Sequence, residues 1–371
     1  MPARVLLLYI TAHSGHYRAS HAIVQALRRL EPRAPVRTVD AFQAFNPFLS
    51  RFVDRIYMTV IRNTPEVWEY LYDNPSVAHR GRGLQRWIHR HNAPTLRRLL
   101  EEFRPTVIAC TQAFPCGVVA AYKRATGLRT PLYAILTDFI PHQFWLQDGV
   151  DTYFVGSDAA RARLIEHGVP EKRIQQSGIP IDPVFADPQD GAARCLSLGL
   201  DPQRPTVLLM GGGQGLGPIE QVARALDALP QRLQLVILTG MNAALKRRLT
   251  AILPQFRRRV VVLGHVPFVH ELMSFATLIV TKPGGLTAAE ALAKRLPIII
   301  VDPIPGQEVN NTEFLLGRQA AVRAQRWELV PRLVDDLLER PDRLTALRQA
   351  AGALGRPRSA LDIAQVLLRH A

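Results

Sequence analysis

Ten short runs of β-branched and apolar residues punctuate this chain, and helical patterns lie between most of them. The first five are Val5–Ile10, Val36–Asp40, Thr106–Cys110, Leu132–Thr137 and Asp151–Val155. The second five are Thr206–Met210, Leu233–Leu238, Val260–Leu263, Leu278–Val280 and Ile298–Val301. Helical spacing covers Arg18–Leu30, Ala93–Phe103, Ala159–His167, Ile219–Leu229, Ala243–Ile252 and Thr287–Lys294. Strands that are apolar without alternation are covered on both faces, and strands separated by helices pair in parallel. The expectation is an α/β protein with two parallel sheets. A Pro-, Gly- and Asp-rich stretch, "GIPIDPVFADPQDGAARCLSLGLDPQRP", separates the two series. It reads as a linker followed by a short helix. The expected domains are residues 1–186 and 187–355. A last helix, Ala360–His370 within 356–371, could cross back to the first domain.

A length of 371 residues exceeds one ordinary core and fits two domains. No apolar stretch reaches the roughly 20 residues of a membrane span. The strand-like "RVLLLYI" near the start shows no cleavable signal pattern, so a cytoplasmic location is expected. Cys110, Cys116 and Cys195 fit no disulfide or zinc spacing and read as free thiols. The formal charge of +15 attracts polyanions. No zinc finger, RNP-type aromatic motif or basic tail accompanies it, so nucleic acid is not an expected partner. Residues 42–104 break the alternation: aromatics such as Phe42, Phe52, Trp68 and Trp87 are interleaved with arginines. Such a segment suits an anionic membrane surface, or equally a helical insertion with its aromatics in the core.

The stretch "YITAHSGHYRASHAIVQAL" holds His13, His16 and His21 at a strand-to-helix junction. Their spacing, without HExxH or a downstream carboxylate of ligand spacing, disfavours metal. His16 follows Gly15 at the end of the first strand, where a neutral imidazole can accept a proton near pH 7. His21 lies on the helix and reads as structural. Farther along, "AILTDFIPHQFWLQDG" places Asp138, His142 and Trp145 just past a strand. An acid–imidazole pair there can orient a hydroxyl, or the loop is simply polar with Trp145 in the core.

The second series opens with "TVLLMGGGQGLGPIEQVARAL". Glycines between a strand and a helix start let the backbone approach phosphate. The spacing matches neither a Walker loop nor GxGxxG. Later, "TKPGGLTAAEALAKRLPIIIVDPIPGQEVNNTEFLL" puts Gly284 and Gly285 before a helix and Glu290 one turn inside it. A carboxylate at that place can bind both hydroxyls of a ribose, or be a solvated helix residue. "GQEVNN" offers amides and a carboxylate suited to sugar hydroxyls. All these loops follow strand ends, where open parallel sheets bind ligands.

The segments "SGHYRASHAI", "TDFIPHQFW", "LLMGGGQGLGPI" and "TKPGGLTAAEALAKRLPIIIVDPIPGQEVNN" resemble the monogalactosyldiacylglycerol synthase and processive diacylglycerol glucosyltransferase family, over nearly the whole chain and in order. That resemblance implies a GT-B fold, two Rossmann-like domains facing a cleft. It implies transfer of a hexose from UDP-glucose or UDP-galactose to diacylglycerol, with inversion and without a cofactor or essential metal. It implies a peripheral enzyme on the inner face of the cell membrane. His16 would be the general base, with Asp138, His142 and Trp145 on the acceptor side. Gly212, Gly213, Gly215 and Gly217 would cradle the diphosphate, with Lys282, Gly284, Gly285 and Thr287 near it. Val266 would touch the uracil, Glu290 the ribose, and Gln307, Glu308 and Asn311 the sugar or its flanks.

Gln214 departs from the plant branch, which carries an acid there, and "KPGG" resembles the bacterial glucosyltransferases. Glucose is therefore placed ahead of galactose as the donor sugar. The alternatives are a GT-B transferase on a polyprenyl-linked or sterol acceptor, a UDP-sugar epimerase of similar fold, and a non-catalytic nucleotide-sugar binder.

Overall fold

The computed structural model describes residues 3–11, 14–45 and 82–369. The chain divides into two compact units. One comprises Met1–Pro183, Pro305–Gln307 and Arg358–Ala371, and the other Val184–Ile304 and Glu308–Pro357.

The first unit is built on a six-stranded sheet in the order β2-β1-β3-β4-β5-β6. Its strands are β1 (Val5–Tyr9), β2 (Val36–Asp40), β3 (Val107–Cys110), β4 (Leu132–Ile135), β5 (Thr152–Val155) and β6 (Ile174–Gln176). All pairings are parallel: Val5 stands opposite Val36 on one side and Val107 on the other. The central strands are buried on both faces because helices cover both. α3 (Arg82–Phe103) and α4 (Ala113–Thr126) bring Leu96, Leu99, Cys116 and Val119 to one face. α1 (Gly15–Leu30) and α14 (Ser359–Arg369) bring Ile23, Leu27, Ile363 and Leu367 to the other. Among the described residues this unit also holds α2 (Ala41–Phe45) and α5 (Asp158–Glu166).

The second unit repeats the plan in the order β12-β11-β10-β7-β8-β9. Its strands are β7 (Thr206–Met210), β8 (Gln234–Leu238), β9 (Val260–Leu263), β10 (Leu278–Thr281), β11 (Ile298–Ile300) and β12 (Ala321–Arg323). Around them run α6 (Gly191–Ser197), α7 (Ile219–Asp227), α8 (Ala243–Ile252), α9 (Val269–Phe275), α10 (Gly285–Ala293), α11 (Gln307–Gly317), α12 (Val330–Glu339) and α13 (Pro341–Leu354). Two Rossmann-like parallel sheets are therefore present, as the alternation of runs predicts.

The structure adds elements that the sequence pattern missed. β6 and β12 are three-residue edge strands, each with one buried residue, so neither forms an apolar run. α4 contains Pro115 and Gly117, and an unbroken buried run from Pro115 to Ala120 erases the amphipathic period. Its limits are nevertheless marked by the Gln112 cap and by Gly127 in the left-handed region. α1 starts at Gly15, ahead of the expected Arg18, because Ser14 caps it by accepting from the Tyr17 N–H at 3.2 Å. Within the stretch 42–104, Phe42 packs on Phe114, and Leu96, Leu99 and Leu100 join the core. The rest of the expected membrane-facing segment, residues 46–81, lies outside the described residues, as does His13. All three cysteines are buried free thiols.

Ser359 ties α14 to the first unit. Its hydroxyl donates to the Ile179 carbonyl at 2.8 Å and accepts from the Ile181 N–H at 3.3 Å, fully buried. Ser359→Ala leaves both backbone groups without that partner in a dry site. We expect a loss of about 1–3 kcal/mol, read as a lower urea midpoint for the first unit's transition.

Candidate active site

In the first unit, the carboxyl ends of β1, β3 and β4 supply the polar groups. The turn after β1 carries Thr11 in the left-handed region and Ser14, whose hydroxyl also donates to the Ile10 carbonyl at 2.8 Å. This turn sets His16 in the first turn of α1, one residue into the helix rather than in a loop. The ring Nδ1 lies 2.9 Å from the Thr111 carbonyl oxygen and 3.1 Å from the Thr137 hydroxyl. A carbonyl can only accept, so Nδ1 carries the proton and Nε2 is the basic nitrogen. Burial pushes the His16 pKa down to about 4, against a smaller upward pull from the Thr111 hydrogen bond. The ring is therefore a neutral acceptor at pH 7.

His142 is pushed down to about 3, by burial first and then by His16 and Arg163. Asp138 is buried and accepts from the Gln307 amide at 2.9 Å, both residues belonging to the first unit. Trp145 is 2% exposed and packs into the core, so it supports the loop from beneath. The Ser157 hydroxyl donates to the Phe139 carbonyl at 2.6 Å and fixes the same loop from β5. His21 is exposed on α1 beside Gln25.

In the second unit, the glycine loop between β7 and α7 is locked to the loop after β8. Gly215 has φ +59°, and a Cβ there would collide with the Thr239 carbonyl oxygen. A Cβ on Gly240 would collide with the Gly213 carbonyl oxygen. The Met241 N–H donates to Gly213 at 2.9 Å, and the Asn242 amide to the Gly215 carbonyl at 3.2 Å. Only glycines allow two backbones to meet this closely. Gly212 and Gly213, in contrast, face open space. Gly264 approaches the Gly240 carbonyl, so the loop carrying half-buried Val266 leans on the same pair.

Gly284 precedes α10 and no side chain caps that helix, an arrangement that leaves its first N–H groups suited to an anion. Lys282 is buried beside it, with Nζ 3.8 Å from Glu308 Oε2. Glu308 also accepts from the Ile304 N–H at 2.7 Å. The Asn311 amide donates to the Pro283 carbonyl at 3.1 Å and holds the turn presenting Gly284 and Gly285. Thr287 is half-buried on α10, and Glu290 is 2% exposed, which rules out a solvated helix residue. Gly217 lies near Lys282 and near Asp302, which adopts the left-handed region at φ 48°. These last two loops border a cavity of about 620 Å³ lined by Gly217, Asp302, Arg326 and Trp327 among others.

Sequence reasoning missed Thr111, Thr137, Thr239, Asn242 and Asp302. Three of them share a signal, a threonine just past an apolar strand: Thr111 and Thr239 follow β3 and β8 directly, and Thr137 lies two residues beyond β4. Among the described residues, no group of three His, Cys, Asp or Glu side chains could hold a metal ion. Among them also, no helix is long and apolar enough to cross a membrane.

Residues 16–181 match the family described as monogalactosyldiacylglycerol (MGDG) synthase, and residues 206–353 match the glycosyltransferase family 28 C-terminal domain. The processive diacylglycerol beta-glucosyltransferase of Bacillus cytotoxicus is 29% identical over 98% of this chain and 93% of its own length. The homonymous Bacillus subtilis protein is 29% identical over 93% of this chain and 90% of its own. Among solved structures, MurG of Acinetobacter baumannii superposes with a TM-score of 0.64 at 14% identity, covering 99% of this chain and 100% of that one.

Two measurements follow from the geometry. His16 and His142 are held neutral by burial, whereas in the unfolded chain they take up protons near pH 6.5. Their contribution is unchanged above that pH and becomes destabilising as pH falls from 6.5 toward 4. The urea midpoint should drop over this window, and less steeply in His142→Asn. Gly215→Ala should abolish donor binding in titration calorimetry and lower the second unit's melting temperature, because its Cβ meets fixed backbone.

Proposed function

This chain belongs to the monogalactosyldiacylglycerol synthase and processive diacylglycerol glucosyltransferase family, and from that premise we propose that it transfers a hexose from a UDP-sugar to diacylglycerol with inversion. Glucose is the favoured sugar, since the relatives at 29% identity are named glucosyltransferases. The enzyme works on the inner face of the cell membrane as a peripheral protein. Its charge of +15 supplies attraction to anionic lipid.

The observation that carries the reading is the 2.9 Å contact of His16 Nδ1 with the Thr111 carbonyl, which sets the tautomer. With the proton of Nδ1 on the Thr111 carbonyl, Nε2 is the lone pair available to an acceptor hydroxyl. In the reaction the hydroxyl oxygen attacks C1 of the sugar and its proton passes to Nε2. The C1–oxygen bond to the diphosphate breaks in the same displacement, which inverts the anomeric carbon. Negative charge on the departing UDP is met by the N–H groups at the start of α10, by the open face of Gly212 and Gly213, and by Lys282. Val266 and Glu290 take the uracil and the ribose. Gln307 and Glu308 flank the sugar, and Asp138 and His142 line the acceptor side. This assignment calls for no cofactor and no metal ion.

Purified protein with diacylglycerol liposomes and UDP-glucose should yield a hexosyl lipid by mass spectrometry, with less product from UDP-galactose. Interconversion of UDP-sugars without lipid would instead indicate an epimerase. Placed general bases contribute about 10²–10⁴-fold, so His16→Ala should lose turnover by that factor while UDP affinity stays within a few-fold. Normal turnover in that variant removes His16 from the chemistry.

A further inference from the structure

Among the described residues, the His16 ring nitrogen Nδ1 meets two uncharged oxygens, of Thr111 and Thr137. Thr111, at the end of β3, grips the residue twice. Its carbonyl takes the Nδ1 proton at 2.9 Å, and its hydroxyl donates to the His16 main-chain carbonyl at 2.9 Å. Because the single Thr111 hydroxyl proton goes to His16, the Ser20 hydroxyl 2.9 Å away is the donor to Thr111. These groups fix the main chain and one acceptor. One acceptor alone leaves the ring plane loosely set about its axis.

Thr137 supplies the second acceptor, from the next strand of the sheet. Its hydroxyl lies 3.1 Å from Nδ1, and the side chain is 4% exposed. The opposite tautomer would put an unprotonated Nδ1 against the Thr111 carbonyl lone pairs, leaving Thr137 as its one donor. Turning the ring over would put a C–H against both oxygens. Either change forfeits hydrogen bonds in a buried site, each worth about 1 kcal/mol or more. The same oxygens accept charge-assisted bonds once Nε2 has taken a proton.

We propose that Thr137 is the positioning residue of the base: its hydroxyl shares the Nδ1 proton of His16 with the Thr111 carbonyl, so that two uncharged oxygens on neighbouring strands aim Nε2 and stabilise the imidazolium in place of a carboxylate. This rests on the reading of His16 as the base. Arg18 on α1 and Asp138 and His142 on the loop after β4 are charged or titratable groups on the elements around the ring, and His142 is electrostatically coupled to His16.

Full-length wild type and the variants Thr137→Val, Thr137→Ser and Thr137→Asp are assayed for kcat, donor KM and pH profile, with ¹⁵N spectra of the His16 ring assigned through His16→Gln. The wild-type ring should show a protonated Nδ1 and an unprotonated Nε2. Thr137→Val should lower kcat about tenfold, as loss of one hydrogen bond of this kind does, with donor KM unchanged. Thr137→Ser should return to within about twofold of wild type. Thr137→Asp should move the acid limb of the profile up by about one unit or more, since a carboxylate beside imidazole favours its charged form.

Wild-type kcat in Thr137→Val, serine as damaging as valine, or an unprotonated Nδ1 in the wild type would overturn the proposal. Should valine impair folding, the serine and aspartate variants with the wild-type spectrum decide it. A fully active His16→Ala removes the base itself. An inactive His16→Ala beside an unaffected Thr137→Val removes only the positioning role.

Discussion

Every strand in both sheets runs in the same direction, and the rest of the molecule depends on that constraint. A parallel sheet needs a crossover for each new strand, and the crossovers cover both faces with helices. The central strands therefore carry no polar face of their own. Polar chemistry is left to the loops and the helix starts that follow them, and those at the carboxyl ends of the strands open on one edge of each sheet. In the first unit that edge collects Ser14, His16, Thr111 and Thr137. In the second it collects the glycine loop, Thr239, Lys282 and Asp302.

The two units use this edge differently. The first is built to hold one neutral imidazole: Thr111 and Thr137 supply uncharged oxygens, and burial disfavours the cation. The second is built from main chain. Gly215 and Gly240 let two loops touch, and no side chain caps the start of α10. Proton transfer asks for a side chain of tuned basicity. Binding a diphosphate asks for many weak dipoles at fixed spacing. In the proposed function each unit supplies one of these, and the helix α14 completes the apolar face behind the unit that carries His16.

Much of this was legible in the residues. The continuous apolar runs gave the central strands, because burial on both faces leaves a pattern that needs no neighbour to be seen. The edge strands β6 and β12 left none, since half of each faces solvent. The helix α4 escaped for the opposite reason: burial on every side of its first two turns removed the polar stripe there. His16, the glycine loop and Glu290 could be picked out because histidine, clustered glycines and a carboxylate near a glycine pair are unusual in such places, whereas Lys282 entered only through the family resemblance. Trp145 could not be assigned between loop and core until its burial was seen.

The sequence by itself determined two α/β units, the strand ends that carry chemistry, and the family to which those motifs point. The tertiary structure decided which ring nitrogen of His16 is basic. That depends on a carbonyl 95 residues away in the chain, and a backbone carbonyl has no residue type to read. It also decided which glycines are obligatory. A glycine's necessity lies in the backbone that approaches it, and the Thr239 carbonyl facing Gly215 comes from another strand's loop.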